Sequence, residues 1–367
     1  MYSELPPDIR ERHPFHMYDE IRAQPEAVAR SVSIVERDGA AIVETLADAE
    51  RVFVAGCGTS MHAAEVGAWM LRAFSAGEID SHAVGAFNLL TYDFGLRPGD
   101  LVVGVSHSGT TIMTIRALQR AAELGARTVA LTGLPNSPVT EVAQQVLYTG
   151  YPEERSWAHT ISYLAALTSF AALANEIAAA GRRLDLAALP EVVRGALQLD
   201  ELAHRLAAGY LLAEQGGKEP SIVLIGAGAN AVTGRETVLK LRETSYVGAA
   251  SFDLEESLHG PLASVTSDTL VVLIVPDGRS IHRATELAGA LARIGVTPVG
   301  LVGTQAAERF DAAHRILLPD TPEALSPIPA VVPLQLFSYF LAIGKGHNPD
   351  LIRRDEEPYR LAAKEYE

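Results

Sequence analysis

The sequence predicts an α/β fold built of two similar doubly wound lobes, each a parallel sheet covered by helices on both faces. The first observation is a repeat, because VFVAGCGTSMHAAEVGAWMLR begins at Val52 and IVLIGAGANAVTGRETVLKLR begins at Ile222. Each copy has the pattern of an apolar strand, a Gly-x-Gly turn and a helix. If this repeat were overlooked, the predicted fold of the whole chain would be wrong.

A second pair of segments extends the repeat. LVVGVSHSGTTIMTIRALQRAAELGARTVALTG from Leu101 parallels LVVLIVPDGRSIHRATELAGALARIGVTPVGLVG from Leu270. Short apolar runs that alternate with amphipathic helical stretches are typical of βαβ units and parallel sheets. The two lobes are therefore predicted to be related by internal duplication.

The order of these patterns predicts the domain organisation. We expect an N-terminal helical segment at 1–30, a first lobe at 31–195, a second lobe at 196–343 and a C-terminal tail at 344–367. The stretch from Ile177 to Gly217 is rich in Ala, Leu and Arg. It predicts helices and not a flexible linker, so the lobes should pack against each other.

Composition excludes several classes of function. The chain has 367 residues and a net charge of −15, which would repel a nucleic acid or an anionic membrane surface. No run approaches the ~18 uninterrupted apolar residues of a membrane helix, and the charged N-terminus lacks an export signal. The single cysteine, Cys57, excludes an intramolecular disulfide and a multi-cysteine metal site. A cytoplasmic location is expected.

Two hydroxyl-rich turns give the clearest ligand signal. SHSGTT, Ser106 to Thr111, follows an apolar strand and precedes a helix, and GCGTS, Gly56 to Ser60, repeats the arrangement. Unpaired N–H groups at a helix N-terminus favour an anion. Plain N-capping by Ser and Thr is the alternative for either turn alone. Ligands of open α/β sheets bind at the carboxyl ends of strands, so the pair together favours phosphate.

Other site types fit the sequence less well. A dinucleotide fingerprint would need a third glycine where Met61 stands, and no Walker-type Gly-Lys-Ser/Thr occurs. His13 and His16 have metal-like spacing without a second ligand pair, so we interpret them as structural or pocket-lining. Cys57 is expected to be a small buried residue at a strand end and not a nucleophile.

The segment LKLRETSYVGAASFDLEESLHGPLA, Leu239 to Ala263, carries candidate acid-base groups. Lys240 and Glu243 are three residues apart, so on a helix they share one face. They could form a solvated ion pair or could both point into a pocket. The His-Gly-Pro step that follows predicts a turn that presents His259 on a loop.

Six motifs in one order resemble the sugar isomerase (SIS) family: GCGTS, SHSGTT, EERSWAHT, LKLRETSY, ESLHGPLA and the C-terminal RLAAKEYE. The chain is most similar to the isomerase half of glucosamine-6-phosphate synthases and to stand-alone aminosugar-phosphate deaminases. The resemblance covers essentially the whole chain from HPFHMYDEI onward. It implies two tandem flavodoxin-like SIS lobes and a sugar-phosphate substrate.

The resemblance also implies residue roles. The residues implied to contact the sugar phosphate are Cys57, Gly58, Thr59, Ser60, Ser106, His107, Ser108, Thr111 and His159. Glu243 would move protons between C1 and C2, with Lys240 as its partner. His259 would assist ring opening from the second subunit of a homodimer, and Lys364 would close over the substrate. No metal or other cofactor is implied.

Departures from the family pattern affect the end of the pocket that is expected to hold the sugar. His107 stands where the synthases usually have Gln, Thr110 where they have Glu, and His159 replaces a small hydroxyl residue just after Trp157. The second-lobe turn has Ala227 where Arg is common, and the segment SYVGAASF lacks the His-Ala-Glu of the synthases.

The sequence also contains no glutaminase half, so we expect the ammonia-releasing direction: aminosugar phosphate to ketose phosphate and ammonia. Three alternatives remain open. They are another phosphosugar isomerase, a fructosamine-phosphate deglycase and a non-catalytic phosphosugar sensor.

Overall fold

Two five-stranded parallel sheets form the framework of the protein. The computed structural model describes residues 5, 8–92, 94–151, 154–218, 220–310 and 314–365. The strands of the first sheet are β1 Arg51–Gly56, β2 Ser81–Gly85, β3 Asp100–Val105, β4 Arg127–Thr132 and β5 Gln145–Tyr148. Those of the second are β6 Ile222–Gly226, β7 Ala249–Asp253, β8 Leu270–Val275, β9 Val299–Val302 and β10 Arg315–Leu317.

The helices cover the faces and ends of these sheets. They are α1 His16–Arg22, α2 Gln24–Asp38, α3 Ala40–Ala47, α4 Thr59–Phe74, α5 Ala86–Thr91, α6 Ile112–Glu123, α7 Pro138–Val142, α8 Ile161–Glu176, α9 Leu189–Leu197, α10 Asp200–Gln215, α11 Ala229–Thr244, α12 Leu254–Leu258, α13 Ile281–Arg293, α14 Thr304–Ala307, α15 Pro327–Gly344 and α16 Glu357–Ala363. Short 3₁₀ helices span Pro261–Ser264 and Glu323–Leu325.

Strand order confirms the predicted duplication. The sheets read β2-β1-β3-β4-β5 and β7-β6-β8-β9-β10, so equivalent strands occupy equivalent places in each lobe. All the pairs are parallel, with Val54 opposite Val103 in the first sheet and Leu224 opposite Val272 in the second. The strand β3 is buried at every position, as a sheet covered on both faces requires.

The lobes share a continuous core. One apolar cluster joins β1 residues such as Val54 to Leu224 of β6 and Phe337 of α15. The predicted helices between the lobes are present as α9 and α10, and both pack against α15. Since α2 runs from Gln24 to Asp38, the predicted boundary after residue 30 falls inside a helix.

One helix passes a length and composition test for a membrane span. The helix α15 is long and apolar enough to cross a membrane, although Gln335 and Ser338 interrupt its apolar residues, so it does not contradict the expectation from the sequence. However, 83% of its 18-residue window is buried inside the protein, and buried core helices of soluble proteins pass the same test. The apolar composition of α15 is therefore explained by its buried position, where it packs against α9, α10 and α11.

Candidate functional site

A cavity of about 650 Å³ opens at the carboxyl end of the first sheet. Most of the residues predicted from the sequence line it: Cys57, Gly58, Thr59, Ser60, His107, Ser108, Thr111, His159 and Glu243. Ser106 and Lys240 are fully buried directly behind this wall, whereas His259 and Lys364 lie outside it. The fold therefore gathers two turns and one helix of the second lobe around a single space.

The first turn connects β1 to α4. Gly58 has a φ of +55°, a conformation that favours glycine, and leads into the helix at Thr59. At Gly56 a β-carbon would lie 2.6 Å from the carbonyl oxygen of Ser60, so the close approach of strand and helix also requires glycine. The turn thereby exposes hydroxyls and N–H groups at a helix N-terminus.

The second turn connects β3 to α6. Because β1 and β3 are neighbours, their turns lie side by side at the same sheet edge. The Ser106 hydroxyl donates to Thr111 Oγ1 at 3.1 Å, and the hydroxyls of Ser108 and Thr110 are 2.8 Å apart. These hydroxyls bond to one another here, and an anion at the turn could accept hydrogen bonds from them instead.

The helix α11 brings a buried cation and a carboxylate to the opposite wall. Lys240 Nζ lies 2.5 Å from Glu243 Oε2 and donates to Thr59 Oγ1 at 3.0 Å. The Lys240 side chain is 0% exposed, and Glu243 retains 23% exposure. The pair is thus not a solvated surface ion pair, which was one of the two alternatives from the sequence.

Electrostatics suit Glu243 to act as a base. Burial raises the pKa of the Glu243 carboxyl, and the neighbouring Lys240 only partly lowers it. Burial acts to lower the pKa of Lys240, but Glu243 and Glu236 outweigh it, so this pKa is raised and the ammonium stays charged. A carboxylate with a raised pKa is a stronger base, and a fixed cation beside it can stabilise developing negative charge.

Glu236 is a site residue that sequence reasoning missed. Its side chain is 0% exposed, Oε1 lies 3.4 Å from Lys240 Nζ and Oε2 lies 2.6 Å from His62 Nδ1. The Thr59 hydroxyl also donates to Glu236, at 3.1 Å. This network ties α4 to α11 and so fixes the two lobes at the site. Glu236, Lys240 and Glu243 recur at helical spacing, a signal that the sequence does contain.

Four of the departures from the family pattern line the cavity: His107, Thr110, Trp157 and His159. The rings of His107 and His159 meet edge to face, with centroids 5.5 Å apart. Neither ring nitrogen of His107 has a hydrogen-bond partner within the described part of the chain. Burial, followed by His159, lowers the pKa of His107 to about 4, so its imidazole is neutral.

Glu154 lies behind this pair and was not singled out from the sequence. Its side chain is 0% exposed and accepts hydrogen bonds from the backbone N–H groups of Thr160 and Ile161, where α8 begins, and from His159 Nδ1 at 3.0 Å. Burial opposes its ionisation, but the bond from His159 and the charges nearby outweigh burial and lower the pKa of Glu154.

The same three side chains are the candidate metal ligands. His107, Glu154 and His159 each offer one atom, and these atoms lie within 4.8 Å of one another. Both oxygens of Glu154 already accept several hydrogen bonds, including those from Thr160 Oγ1 and Ser162 N–H. A metal ion would have to compete with these donors, so we retain the prediction that catalysis needs no metal.

The C-terminal tail contributes to the cavity through other residues than the predicted one. Ile352 and Arg354 line it, and the Arg354 guanidinium lies 5.7 Å from the centre of the Trp157 ring. Among the described lining residues, Arg354 is the one arginine or lysine. Lys364 directly follows α16 and is exposed, and the tail in this conformation does not bring it to the cavity.

The structure also shows where His259, His13 and Cys57 lie. His259 is 66% exposed and its Nε2 lies 3.0 Å from Glu255, remote from the cavity of its own chain. His13 contacts the Tyr339 hydroxyl at 2.7 Å, a structural role. Cys57 is exposed and lines the cavity, so the expectation of a buried residue was wrong, because the strand ends one residue earlier at Gly56.

Comparison with known proteins agrees with this architecture. Glutamine–fructose-6-phosphate aminotransferases [isomerizing] are 30% identical over 345 residues in Pyrococcus horikoshii and 32% identical over 324 residues in Gloeobacter violaceus. These matches cover 91% and 84% of this chain but 56% and 51% of the relatives, so the chain spans about half their length.

Solved structures give the same fold. The C-terminal domain of glucosamine-fructose-6-phosphate aminotransferase from Francisella tularensis has a TM-score of 0.83 at 24% identity, covering 93% of this chain and 99% of that one. Glucosamine-6-phosphate deaminase from Thermotoga maritima has a TM-score of 0.72 at 21% identity, covering 91% and 96%.

The pattern of the SIS domain matches the chain twice, at residues 45–176 and 217–344. Each match contains one of the two five-stranded sheets. With both lobes matched, and with relatives 30% identical over nine-tenths of its length, the chain belongs to the SIS domain family.

Proposed function

We propose that the protein is a phosphosugar aldose–ketose isomerase that releases ammonia from an aminosugar phosphate, with glucosamine 6-phosphate or a close relative as substrate. The observation that carries the proposal is the buried Lys240–Glu243 pair, which faces a cavity whose other wall is made of two hydroxyl-rich turns. A general base and an anion-binding surface are what such a reaction requires of a protein.

The phosphate would bind at the turns after β1 and β3. Their N–H groups and hydroxyls, notably those of Ser108 and Thr111, can donate to its oxygens. Arg354 supplies a positive charge at the cavity wall of a protein whose net charge is −15. This arrangement holds an anion locally, without a basic surface.

The chemistry would then take place beside Glu243. After ring opening, the Glu243 carboxylate removes the proton from C2, and an enolamine forms as the C1 carbonyl oxygen takes up charge near the Lys240 ammonium. Glu243 returns a proton to C1. The resulting C2 imine adds water and breaks down to the ketose and ammonia. The C1 oxyanion takes one proton from water, and the C2 amino group gives one proton to water as the imine forms, so one carboxylate and water account for every proton.

The relatives are glutamine–fructose-6-phosphate aminotransferases, and this activity supports an aminosugar substrate, although these relatives are longer than this chain. The deaminase of similar fold supports ammonia release in the same way. The departures at His107, Trp157 and His159 alter the wall nearest the sugar, so a panel of substrates is needed to identify the sugar.

The decisive experiment measures ammonia and fructose 6-phosphate released from glucosamine 6-phosphate by the purified protein. Both products should appear in equal amounts, and Glu243→Gln should remove them while His282→Gln, on the exposed face of α13, should not. If the protein converted a fructosamine phosphate but released no product from any 2-amino-2-deoxyhexose 6-phosphate, the result would favour a deglycase. Binding of these compounds without turnover would favour a sensor.

A further inference from the structure

His62 connects the first lobe to the acid-base helix of the second. It lies near the start of α4, and its Nδ1 is 2.6 Å from Glu236 Oε2 on α11. The His62 side chain is 17% exposed, and the Glu236 side chain is 0% exposed. Among the described residues, His62 is not one of those that line the cavity, so it would affect a substrate there only through other side chains.

The Glu236 carboxylate has a partner from the first lobe at each oxygen. Its Oε2 contacts His62, and its Oε1 accepts a hydrogen bond from the Thr59 hydroxyl at 3.1 Å. Because an ionised carboxylate only accepts hydrogen bonds, Nδ1 of His62 is the donor. Lys240 Nζ lies farther away, at 3.4 Å from Oε1. The hydrogen bonds of Glu236 are therefore supplied mainly by His62 and Thr59.

This arrangement bears on the position of the Lys240 ammonium. Its Nζ is 2.5 Å from Glu243 Oε2 but 3.4 Å from Glu236 Oε1, so its closer partner is the carboxylate that borders the cavity. Both carboxylates attract the same ammonium. If Oε2 of Glu236 lost its donor, a buried charged oxygen would be left unpaired, which costs free energy. Lys240 Nζ would then be drawn from Glu243 towards Glu236.

We propose that His62 is a positioning residue: by bonding Glu236 across the boundary between the lobes, it keeps the Lys240 ammonium beside Glu243 at the cavity. The inference rests on the proposed function, because it assigns His62 a part in the reaction of that pair. In that reaction the ammonium stabilises the charge that develops on the C1 oxygen, so a shift of Nζ away from the cavity slows the chemical step. Binding of the phosphate at the two hydroxyl-rich turns is left unchanged.

A purely structural role for His62 is the alternative, since the same contact joins the two lobes. The chain offers a matched contact for comparison. Arg235, next to Glu236 on α11, pairs with Glu65, which lies three residues after His62 on α4. That ion pair joins the same two helices but is more exposed, at 42% for Arg235 and 26% for Glu65. Glu65→Gln should therefore disturb the boundary between the lobes without moving Lys240.

Steady-state kinetics separate the two roles, on the aminosugar phosphate that the unaltered protein converts fastest, beginning with glucosamine 6-phosphate. His62→Leu removes the donor and should lower kcat at least about tenfold while KM stays within about threefold, because the lost interaction acts on the transition state. His62→Asn should keep kcat within about threefold of the parent, because its amide nitrogen is as many bonds from the backbone as Nδ1 and donates the same bond.

Glu65→Gln should keep the kcat and KM of the parent, and circular dichroism spectra check that each variant is folded. A second background tests the route through Glu236. In Glu236→Gln the carboxylate that competes for Lys240 is absent, so adding His62→Leu should change kcat by less than about threefold. This double variant buries no unpaired carboxylate at position 236, so it tests the inference even where His62→Leu alone does not fold.

Three results would overturn the inference while leaving the proposed function in place. They are a parental kcat in His62→Leu, an equal loss of kcat in His62→Leu and Glu65→Gln, and a loss of about tenfold or more when His62→Leu is added to Glu236→Gln. If the unaltered protein releases neither ammonia nor a ketose phosphate from any aminosugar phosphate, both proposals fail.

Discussion

Lys240 Nζ lies 2.5 Å from Glu243 Oε2 and 3.4 Å from Glu236 Oε1, on a face of α11 where Lys240 and Glu236 are fully buried and Glu243 borders the cavity. One ammonium therefore compensates two carboxylates that could not otherwise be buried side by side. Removing one partner of a buried ion pair leaves an uncompensated charge and costs about 3–5 kcal/mol.

Lys240→Met should accordingly destabilise the protein by about that amount, measured as the free energy of unfolding in urea. Lys218→Met is the matched control, because Lys218 pairs with Asp268 at the surface, where an ion pair contributes about 0–1 kcal/mol. Equal effects of the two substitutions would show that the buried network does not depend on Lys240.

Ser108 and Thr111 should act mainly on substrate binding. Replacing either with Ala should raise the KM for a sugar phosphate by roughly tenfold, the loss of one charge-assisted hydrogen bond of ~1.5 kcal/mol. Thr45→Ala is the control, since its hydroxyl donates to the Ala41 carbonyl on the exposed side of α3. Steady-state kinetics decide, and an unchanged KM in both site variants would place the anion elsewhere.

Lys364 should act on turnover if the tail closes over the substrate. In this structure it follows α16 and is exposed, while Leu361 is 51% exposed and Ala363 is buried. Truncation after Tyr359 should lower kcat by about a hundredfold, as loss of a preorganised charge does, while the fold is kept. Lys364→Ala tests the side chain alone. If both variants turn over substrate within about twofold of the parent rate, the C-terminal segment is a solvated terminus without a role in catalysis.

Glu20 should make stability depend on pH. Burial, followed by the charge of Glu154, raises the pKa of the Glu20 carboxyl. Above the ordinary carboxyl range the unfolded chain has released this proton and the folded chain still holds it, so the stability contributed by Glu20 is lost as pH rises towards the folded pKa.

Glu20→Gln should therefore flatten the fall of Tm with pH between about pH 5 and 8, because an amide has no proton to release in that range. Glu26→Gln, at an exposed position on the next helix, should leave the slope unchanged. Thermal melts across this range test both, and parallel slopes for Glu20→Gln and the parent would contradict the shift.

A homodimer remains a prediction from the family resemblance. The exposed loop that carries His259 and the 3₁₀ helix Pro261–Ser264, none of whose residues is buried, is the expected contact surface. Light scattering coupled to size exclusion should give twice the chain mass of 39.1 kDa. A monomer at assay concentration would rule out both the dimer and any contribution of a partner's His259.

Local pattern was sufficient for much of the fold. The strands, the Gly-x-Gly turns and the helices are each written in contiguous residues, so the duplicated arrangement around Gly56 and Gly226 could be predicted from their periodicity. The two hydroxyl-rich turns could also be predicted to lie side by side, since the carboxyl ends of neighbouring parallel strands lie at the same edge of a sheet.

Other features could not be predicted because they depend on how distant elements pack. Arg354 reaches the cavity only because the tail folds back to the ring of Trp157, and Glu154 meets His159 only through the turn that begins α8. Glu236 had a visible helical spacing with Lys240, but its partner His62 lies on the other lobe.

The sequence by itself determined the two-lobed α/β architecture, the two hydroxyl-rich turns and the helical spacing of Lys240 and Glu243 on α11. The tertiary structure decided which of these groups face one another. Whether Lys240 and Glu243 were solvated or buried depended on the packing of α11 against α4, and only burial gives Glu243 its raised pKa. Short-range periodicity sets the elements, whereas desolvation and charge pairing arise from contacts between residues far apart in the chain.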